Sequence, residues 1–223
     1  MRICSLLPST TEIVCSLGLQ DSLVGITHEC DYPPEIRSIP VVTQSLIDHS
    51  NSSSSEIDRH ISEAVHEGSG IYSIKNNVLE EARPDLILTQ ELCEVCAVSY
   101  NMVEESVREL EGKQTVLSFE PQNLEGIFES ILKIGRFTDS TGASESLVYD
   151  LKSRVANVMH VANNVPKKPK VLALEWLAPP FIGGHWVPEM IKYAGGIDVM
   201  GVIERASREI TWHEALDSMP EIV

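Results

Sequence analysis

Residues 122–162 constrain the fold of this chain more than any other stretch. Apolar side chains fall at Leu124, Ile127, Ile131 and Ile134, then at Leu147, Leu151, Val155, Val158 and Val161. These steps of three and four mark one face of an α-helix. The spacing predicts one long helix, or two in line. At about 1.5 Å per residue an unbroken helix here would reach roughly 60 Å, too long for an ordinary crossover between strands. It is expected to serve as a backbone joining two halves of the chain. Asp139-Ser140-Thr141-Gly142 is where a capping residue and a glycine would kink it or start a second helix.

On either side of that backbone the same order of elements recurs. The first half reads as a strand at residues 3–7, the loop Pro8-Ser9-Thr10-Thr11, a helix over 12–17, Gly18 and a strand over 23–27. The second reads as a strand over 171–175, a long loop through Trp186, a helix over 188–193, Gly195-Gly196 and a strand at 197–199. Leu79-Glu80-Glu81-Ala82-Arg83-Pro84-Asp85-Leu86-Ile87 matches Leu216-Asp217-Ser218-Met219-Pro220-Glu221-Ile222-Val223 more sharply: a helix end meets Pro and an acid, and a strand begins. The expected fold class is α/β, two αβ lobes joined by a long helical backbone, with lobes at 1–120 and 166–223 and the backbone at 121–165. The second lobe is expected to be partial, with an exposed sheet edge, because its last strand has a first-lobe counterpart followed by much more chain.

A chain of 223 residues, 43% of them hydrophobic, can build packed cores of this kind. Its net charge of -16 argues against nucleic acid or an anionic membrane as partner. No apolar run is long enough to span a bilayer. Met1-Arg2 leads straight into a strand, without the charged and apolar segments of an export signal, which places the chain as written in the cytoplasm. The five cysteines, Cys4, Cys15, Cys30, Cys93 and Cys96, are odd in number and scattered, unlike a disulfide framework. Cys4 and Cys15 read as small buried hydrophobes.

Four loops, each following a strand, hold the unusual chemistry. Pro8 and Ser9 precede a helix, with Ser9 or Thr10 as its cap; a plain cap is the simpler meaning, but ligands in open α/β sheets bind at the carboxyl ends of strands. His28-Glu29-Cys30-Asp31-Tyr32 cannot all be buried unpaired, so they face water, a ligand or a metal. Cys93 and Cys96 form a C-x-x-C that fits half a zinc or iron site, a redox pair or two unrelated thiols, with His28, Cys30 or His185 as further ligands if the loops meet. Glu175 to Trp186 gathers Trp176, Phe181, His185 and Trp186 in one Gly/Pro-rich segment, aromatic surface either folded on a core or ready for a flat ligand. If the backbone makes the lobes face each other, the four loops share a cleft. By contrast, His60 and His66 read as surface residues of a helix capped by Ser55 and Asp58.

Leu6-Leu7-Pro8-Ser9-Thr10-Thr11-Glu12-Ile13, Gly18-Leu19, Leu23-Val24-Gly25, Arg83-Pro84-Asp85-Leu86-Ile87 and Ala194-Gly195-Gly196 resemble the periplasmic-binding-protein family that captures vitamin B12 and iron siderophores for ABC importers. Residues 28–33 and 93–99 resemble its cobalamin-binding branch. The resemblance covers nearly the whole chain. It implies two rigidly joined lobes clamping a corrinoid first, or an iron chelate or haem second, by binding without catalysis, in the periplasm or outside the cell. Trp176, Phe181, Trp186 and Tyr32 would pack on the ligand face, Pro8 and Ser9 would approach it, and His28 or His185 would meet a metal centre. Family members offer an acid on each lobe to the permease; the matching positions here are Asn77 and His213, with Glu80 or Glu214 as substitutes. The rival reading is a cytosolic enzyme or metal-binding protein, with Cys93 or Cys96 as thiolate or zinc ligand and Glu29 or Asp31 as general base.

Overall fold

The structure is a computed structural model and describes residues 1–47, 52–66, 71–90, 100–108, 110 and 112–223. The chain divides into two compact units, Met1–Glu120 with Ile134–Thr141, and Pro121–Lys133 with Gly142–Val223. Each is an α/β structure in its own right.

In the first unit the strands β1 (Ile3–Ser5), β2 (Leu23–Ile26), β5 (Leu86–Thr89) and β6 (Thr115–Ser118) form a parallel sheet in the order β2-β1-β5-β6. Ile3 lies opposite both Leu23 and Leu86, and Leu86 opposite Thr115. All three residues of β1 are buried, as expected of a parallel strand covered on both faces. The connections carry α1 (Pro8–Ser16), α2 (Ser54–His66), α3 (Asn76–Ala82) and α4 (Tyr100–Arg108), and the short strands β3 (Thr43–Ser45) and β4 (Tyr72–Ile74) pair antiparallel. Cys4, Leu6, Val42, Leu79, Ile87 and Val103 make its core. The cap of α2 lies earlier than expected from Ser55 and Asp58. Ser53 and Glu56 form the reciprocal pair, with Ser53 N–H and Oγ donating to Glu56 Oε2 at 2.8 and 2.7 Å.

The expected backbone is two helices, α5 (Leu124–Phe137) and α6 (Thr141–Asn163), separated at the weak point read from sequence. Asp139 takes φ +53° there, a left-handed conformation that a short polar side chain tolerates. With 23 residues, α6 is about 35 Å long. Of the α5 residues that marked the helical face, Ile131 and Ile134 are buried and Leu124 and Ile127 half-buried, and Phe128, which was not among them, is buried beside them. On α6 the protected stripe runs through Ser144, Val148, Leu151, Val155, Met159 and Ala162, and Val158 and Val161 lie beside it in the open. Ala162 is small because Gly195 comes close: a Cβ on Gly195 would sit 3.0 Å from that of Ala162.

The second unit continues with β7 (Lys170–Val171), β8 (Leu174–Leu177), β9 (Pro180–Ile182), α7 (Val187–Tyr193), β10 (Ile197–Asp198), β11 (Arg208–Glu209) and α8 (Trp212–Asp217). β7 pairs parallel with β10 and, through Val171, with Ile222; β8, β9 and β11 form an antiparallel sheet with β9 in the middle. Leu172, Ile182, Ile210 and Ala215 are its core. The segment expected to be one strand over 171–175 and a long loop is thus three short strands, β7 and the β8–β9 hairpin. Pro180 opens a central strand, a position where its missing N–H costs no ladder bond, and its carbonyl accepts from Ile210 N–H at 2.9 Å.

The repeat inferred from sequence is carried in hydrogen bonds. Asp85 and Leu86 N–H donate to Arg2 C=O at 2.8 and 3.1 Å, and Glu221 and Ile222 N–H donate to Lys170 C=O at 2.8 and 3.1 Å. Each acid also closes the corner from its side chain, Arg2 N–H to Asp85 Oδ2 at 2.7 Å and Lys170 N–H to Glu221 Oε2 at 3.0 Å. Arg83 and Met219, each just before the proline, both take positive φ, +40° and +46°. Gly18 and Gly195 end α1 and α7 at φ +74° and +87°. The residue after each donates back into the last turn, Leu19 to Val14 and Gly196 to Ile191, a left-handed helix stop that glycine permits.

Candidate functional site

In the first unit the expected site residues gather at the carboxyl ends of β1 and β2. Pro8 is the first residue of α1, so the helix starts earlier than expected and Leu7, without a side-chain cap, precedes it. Ser9 is exposed, whereas Thr10 and Thr11 are buried and turn back on the strand. Thr10 Oγ1 lies 2.7 Å from Ser5 Oγ, and Thr11 Oγ1 donates to Ser5 Oγ at 2.8 Å and touches Cys30 Sγ at 3.1 Å. This hydroxyl cluster under the loops escaped sequence reasoning. Its signal was a serine inside a buried strand followed by two threonines on the next helix, because buried hydroxyls need partners.

His28 is fixed from both ring nitrogens. Nδ1 lies 2.7 Å from Thr43 Oγ1, Nε2 lies 3.2 Å from Glu29 Oε1, and the ring packs edge-on to Tyr72 at 5.1 Å. Thr43 Oγ1 also accepts from His28 N–H at 3.0 Å and meets Thr27 Oγ1 at 2.9 Å. Thr43 Oγ1, which accepts from the backbone N–H, can donate to Nδ1, and the other ring nitrogen faces the Glu29 carboxylate at ion-pair distance. A metal at His28 would have to displace Glu29 or Thr43. Cys30 is half-buried, Asp31 is exposed, and Tyr32 is 61% exposed. Burial pushes the Cys30 thiol up, against the hydrogen bonds from Thr11 and Thr27. Cys93 and Cys96, and so the metal site expected on them, lie outside the described residues. Among the described residues no three potential ligands are grouped to hold a metal ion.

In the second unit the aromatic segment is the β8–β9 hairpin and the turn after it. Trp176 and Phe181 are directly opposite in the register, hence on one face of the pair. Trp176 Nε1 donates to Ala178 C=O at 3.1 Å. Gly183 and Gly184 then lead into His185, whose φ is +51° and whose N–H donates to Arg205 C=O at 2.6 Å. Its Nδ1 lies 3.0 Å from Gln122 Oε1. A carbonyl oxygen can only accept, so Nδ1 donates to it, and the neutral form of this ring has its lone pair on Nε2. Trp186 lies beside it, ring centroids 5.8 Å apart at 36°, and precedes α7.

A separate hollow of about 200 Å³ opens between α5, α6 and α7, lined by Leu124, Phe128, Val155, Met159, Glu189 and Tyr193 among others. None of the residues expected from sequence lines it. Glu189 is occupied within it: Oε2 accepts from Leu124 N–H at 2.8 Å and Oε1 from the Tyr193 hydroxyl at 2.7 Å.

The pattern of the periplasmic binding protein family matches residues 3–223. The chain belongs to the periplasmic binding protein family. Among family relatives, the vitamin B12-binding protein of Vibrio cholerae is 21% identical over 223 residues, which is all of this chain and 69% of that protein. The periplasmic heme-binding protein RhuT from Roseiflexus superposes with a TM-score of 0.72 at 18% identity, over 98% of this chain and 73% of RhuT. The periplasmic vitamin B12-binding protein BtuF of Vibrio cholerae gives 0.69 at 19%, over 99% of this chain and 74% of BtuF. At such identities the solved structures share the fold: two α/β lobes with a helical backbone, the class expected from sequence. The cytoplasmic placement expected from the first residues finds no support among these family members, two of which are described as periplasmic. No helix among the described residues is long and apolar enough to cross a membrane.

Proposed function

We propose that this protein is the substrate-binding component of an ABC importer and that its cargo is a corrinoid or an iron chelate, haem included. The observation that carries the reading is the family match, which spans residues 3–223. Relatives of that fold are described as binding vitamin B12 and heme, and the aromatic hairpin supplies what such ligands need. A flat macrocycle gains most from rigid aromatic faces and a few placed polar groups. We assign the contacts to Trp176, Phe181, His185 and Trp186 in the second unit and to Pro8, Ser9, His28, Glu29, Cys30, Asp31 and Tyr32 in the first. His185 Nε2, with its lone pair, is the imidazole suited to a metal centre; His28, held by Thr43 and Glu29, is suited to a positioning role. The protein works outside the cytoplasm in this reading, and it hands cargo to a permease through exposed surface near Asn77 and His213, with Glu80 or Glu214 supplying the acid.

Calorimetric titration of the purified, reduced protein with cyanocobalamin and, separately, with haemin and a ferric siderophore tests the proposal. One-to-one binding at micromolar or lower concentration is expected for at least one of them. Failure of all three, with stoichiometric zinc or iron in the purified protein that Cys93→Ser and Cys96→Ser remove, would overturn it in favour of a metal-binding role.

A further inference from the structure

The thiols of the first unit point beyond cargo binding. Cys30 Sγ lies 3.1 Å from Thr11 Oγ1, and Cys15 follows Thr11 by one turn on the same face of α1. Residues so spaced have Cβ atoms about 5–6 Å apart. Both cysteines are free and half-buried. Burial pushes the Cys15 thiol up first, and then the neighbouring charges of Cys30, Glu12 and Glu35, so Cys30 is among its electrostatic neighbours. Thr11 is fully buried and anchors α1, its hydroxyl 2.8 Å from Ser5 Oγ and 3.0 Å from Leu7 C=O. Cys30 instead sits on the turn after β2, where its N–H donates to Thr27 C=O at 3.1 Å.

We propose that Cys15 and Cys30 are a redox-active dithiol that closes to a disulfide between α1 and the loop carrying His28 and Tyr32. Disulfide geometry needs Cβ atoms about 3.5–4.5 Å apart. Closure therefore takes Cys30 off Thr11 and toward Cys15, the neighbour of Thr11 one turn along α1. The oxidant is an external disulfide of the glutathione or cystamine class. The thiolate of Cys15, the less buried of the two, attacks one of its sulfurs and expels a thiolate. The thiolate of Cys30 then attacks Cys15 Sγ in the mixed disulfide and expels the second. One disulfide breaks in the oxidant and one forms in the protein; two electrons pass to the oxidant, and the two protons released by the protein end on its two thiols. An oxidising compartment such as the periplasm favours the closed form. Closure binds residues 28–32 to α1, so the loop proposed to meet cargo is held differently in the two redox states.

The test is made in the full-length Cys93→Ser/Cys96→Ser protein, so that only Cys4, Cys15 and Cys30 remain, and it reads mass without any cargo. Cystamine is expected to remove the mass of two hydrogen atoms, with a Cys15–Cys30 cross-link in the peptide map that dithiothreitol reverses. Adding Cys15→Ser or Cys30→Ser is expected to leave a single stable mixed disulfide on the surviving thiol, with an unchanged circular dichroism spectrum. Separate stable mixed disulfides on Cys15 and Cys30, a cross-link to Cys4 or between molecules, or no reaction would each overturn the proposal. None of these results bears on whether a corrinoid binds.

Discussion

Replacing Gly184 by alanine is the change whose cost the structure sets most tightly. A Cβ there would lie 2.3 Å from Ser207 N, 2.5 Å from Ala206 C and 2.6 Å from Arg205 O. Carbon contacts settle near 3.5–4.0 Å, and all three of these neighbours are backbone, so the 205–207 segment must move by about an ångström. That movement breaks the bond from Gly184 N–H to Ser207 Oγ and the one from His185 N–H to Arg205 C=O. Overpacking costs about 1–3 kcal/mol and each lost hydrogen bond about 1 kcal/mol. The sum is about 3–5 kcal/mol, confined to the second unit. Tryptophan fluorescence in urea reads that unit selectively, because all three tryptophans, Trp176, Trp186 and Trp212, lie in it. Gly142→Ala is the matched control: nothing lies within 4 Å of its Cβ, it sits in α6, and removing glycine from a helix stabilises by up to about 1 kcal/mol. A Gly184→Ala protein within about 0.5 kcal/mol of wild type would refute the reasoning, and with it the account of how His185 is held.

Four further outcomes follow from the same geometry. Cys4, fully buried and with its thiol pushed up to about 12 by that burial, is expected to resist maleimide in the native protein and react only on unfolding; fast labelling at neutral pH would contradict its place in the core. Arg83→Gly and Met219→Gly remove side chains from left-handed corners and are each expected to raise stability by up to about 1 kcal/mol in urea; a loss at both would contradict the matched corners. Glu214 is held below the usual carboxylate range by Thr211 N–H and hydroxyl, and Glu221 by Lys167 and then Lys170 N–H. The stability they lend the second unit is full above the ordinary carboxylate pKa and lost as pH falls through their lowered values; a Glu214→Gln/Glu221→Gln protein is expected to lose part of that acid dependence in fluorescence-monitored melts. Trp176→Ala is expected to weaken cargo binding at least tenfold in calorimetry while leaving the urea midpoint of the first unit, followed by amide exchange, unchanged.

What was legible in the chain was what local chemistry dictates. Arg83-Pro84-Asp85 and Met219-Pro220-Glu221 spelled out their corners because proline cannot continue the helix before it and the acid has one nearby N–H to accept from. Gly18 and Gly195 marked helix stops for want of any other residue that takes that conformation cheaply. The break at Asp139 was visible for the same kind of reason. The β8–β9 hairpin was not, because Pro179-Pro180 and Gly183-Gly184 signal loop locally, and only pairing with Arg208–Glu209 far along the chain makes Pro180 the start of a central strand. Val158 and Val161 misled because apolar spacing records hydrophobicity, whereas cover on α6 is decided by what packs there, with Gly195 against Ala162. At the site, His28 and His185 looked equivalent in sequence. Their difference rests on Thr43 and Gln122, partners no spacing reveals.

The central claim, a corrinoid or iron-chelate cargo seated against Trp176, is tested most directly in a Trp186→Phe/Trp212→Phe protein that keeps Trp176 as its single tryptophan. Cyanocobalamin and haemin absorb where tryptophan emits, so a cargo resting on Trp176 is expected to quench its fluorescence to a one-to-one endpoint at micromolar concentration. Emission that neither of these ligands nor a ferric siderophore changes beyond the inner-filter loss of free tryptophan would contradict the account.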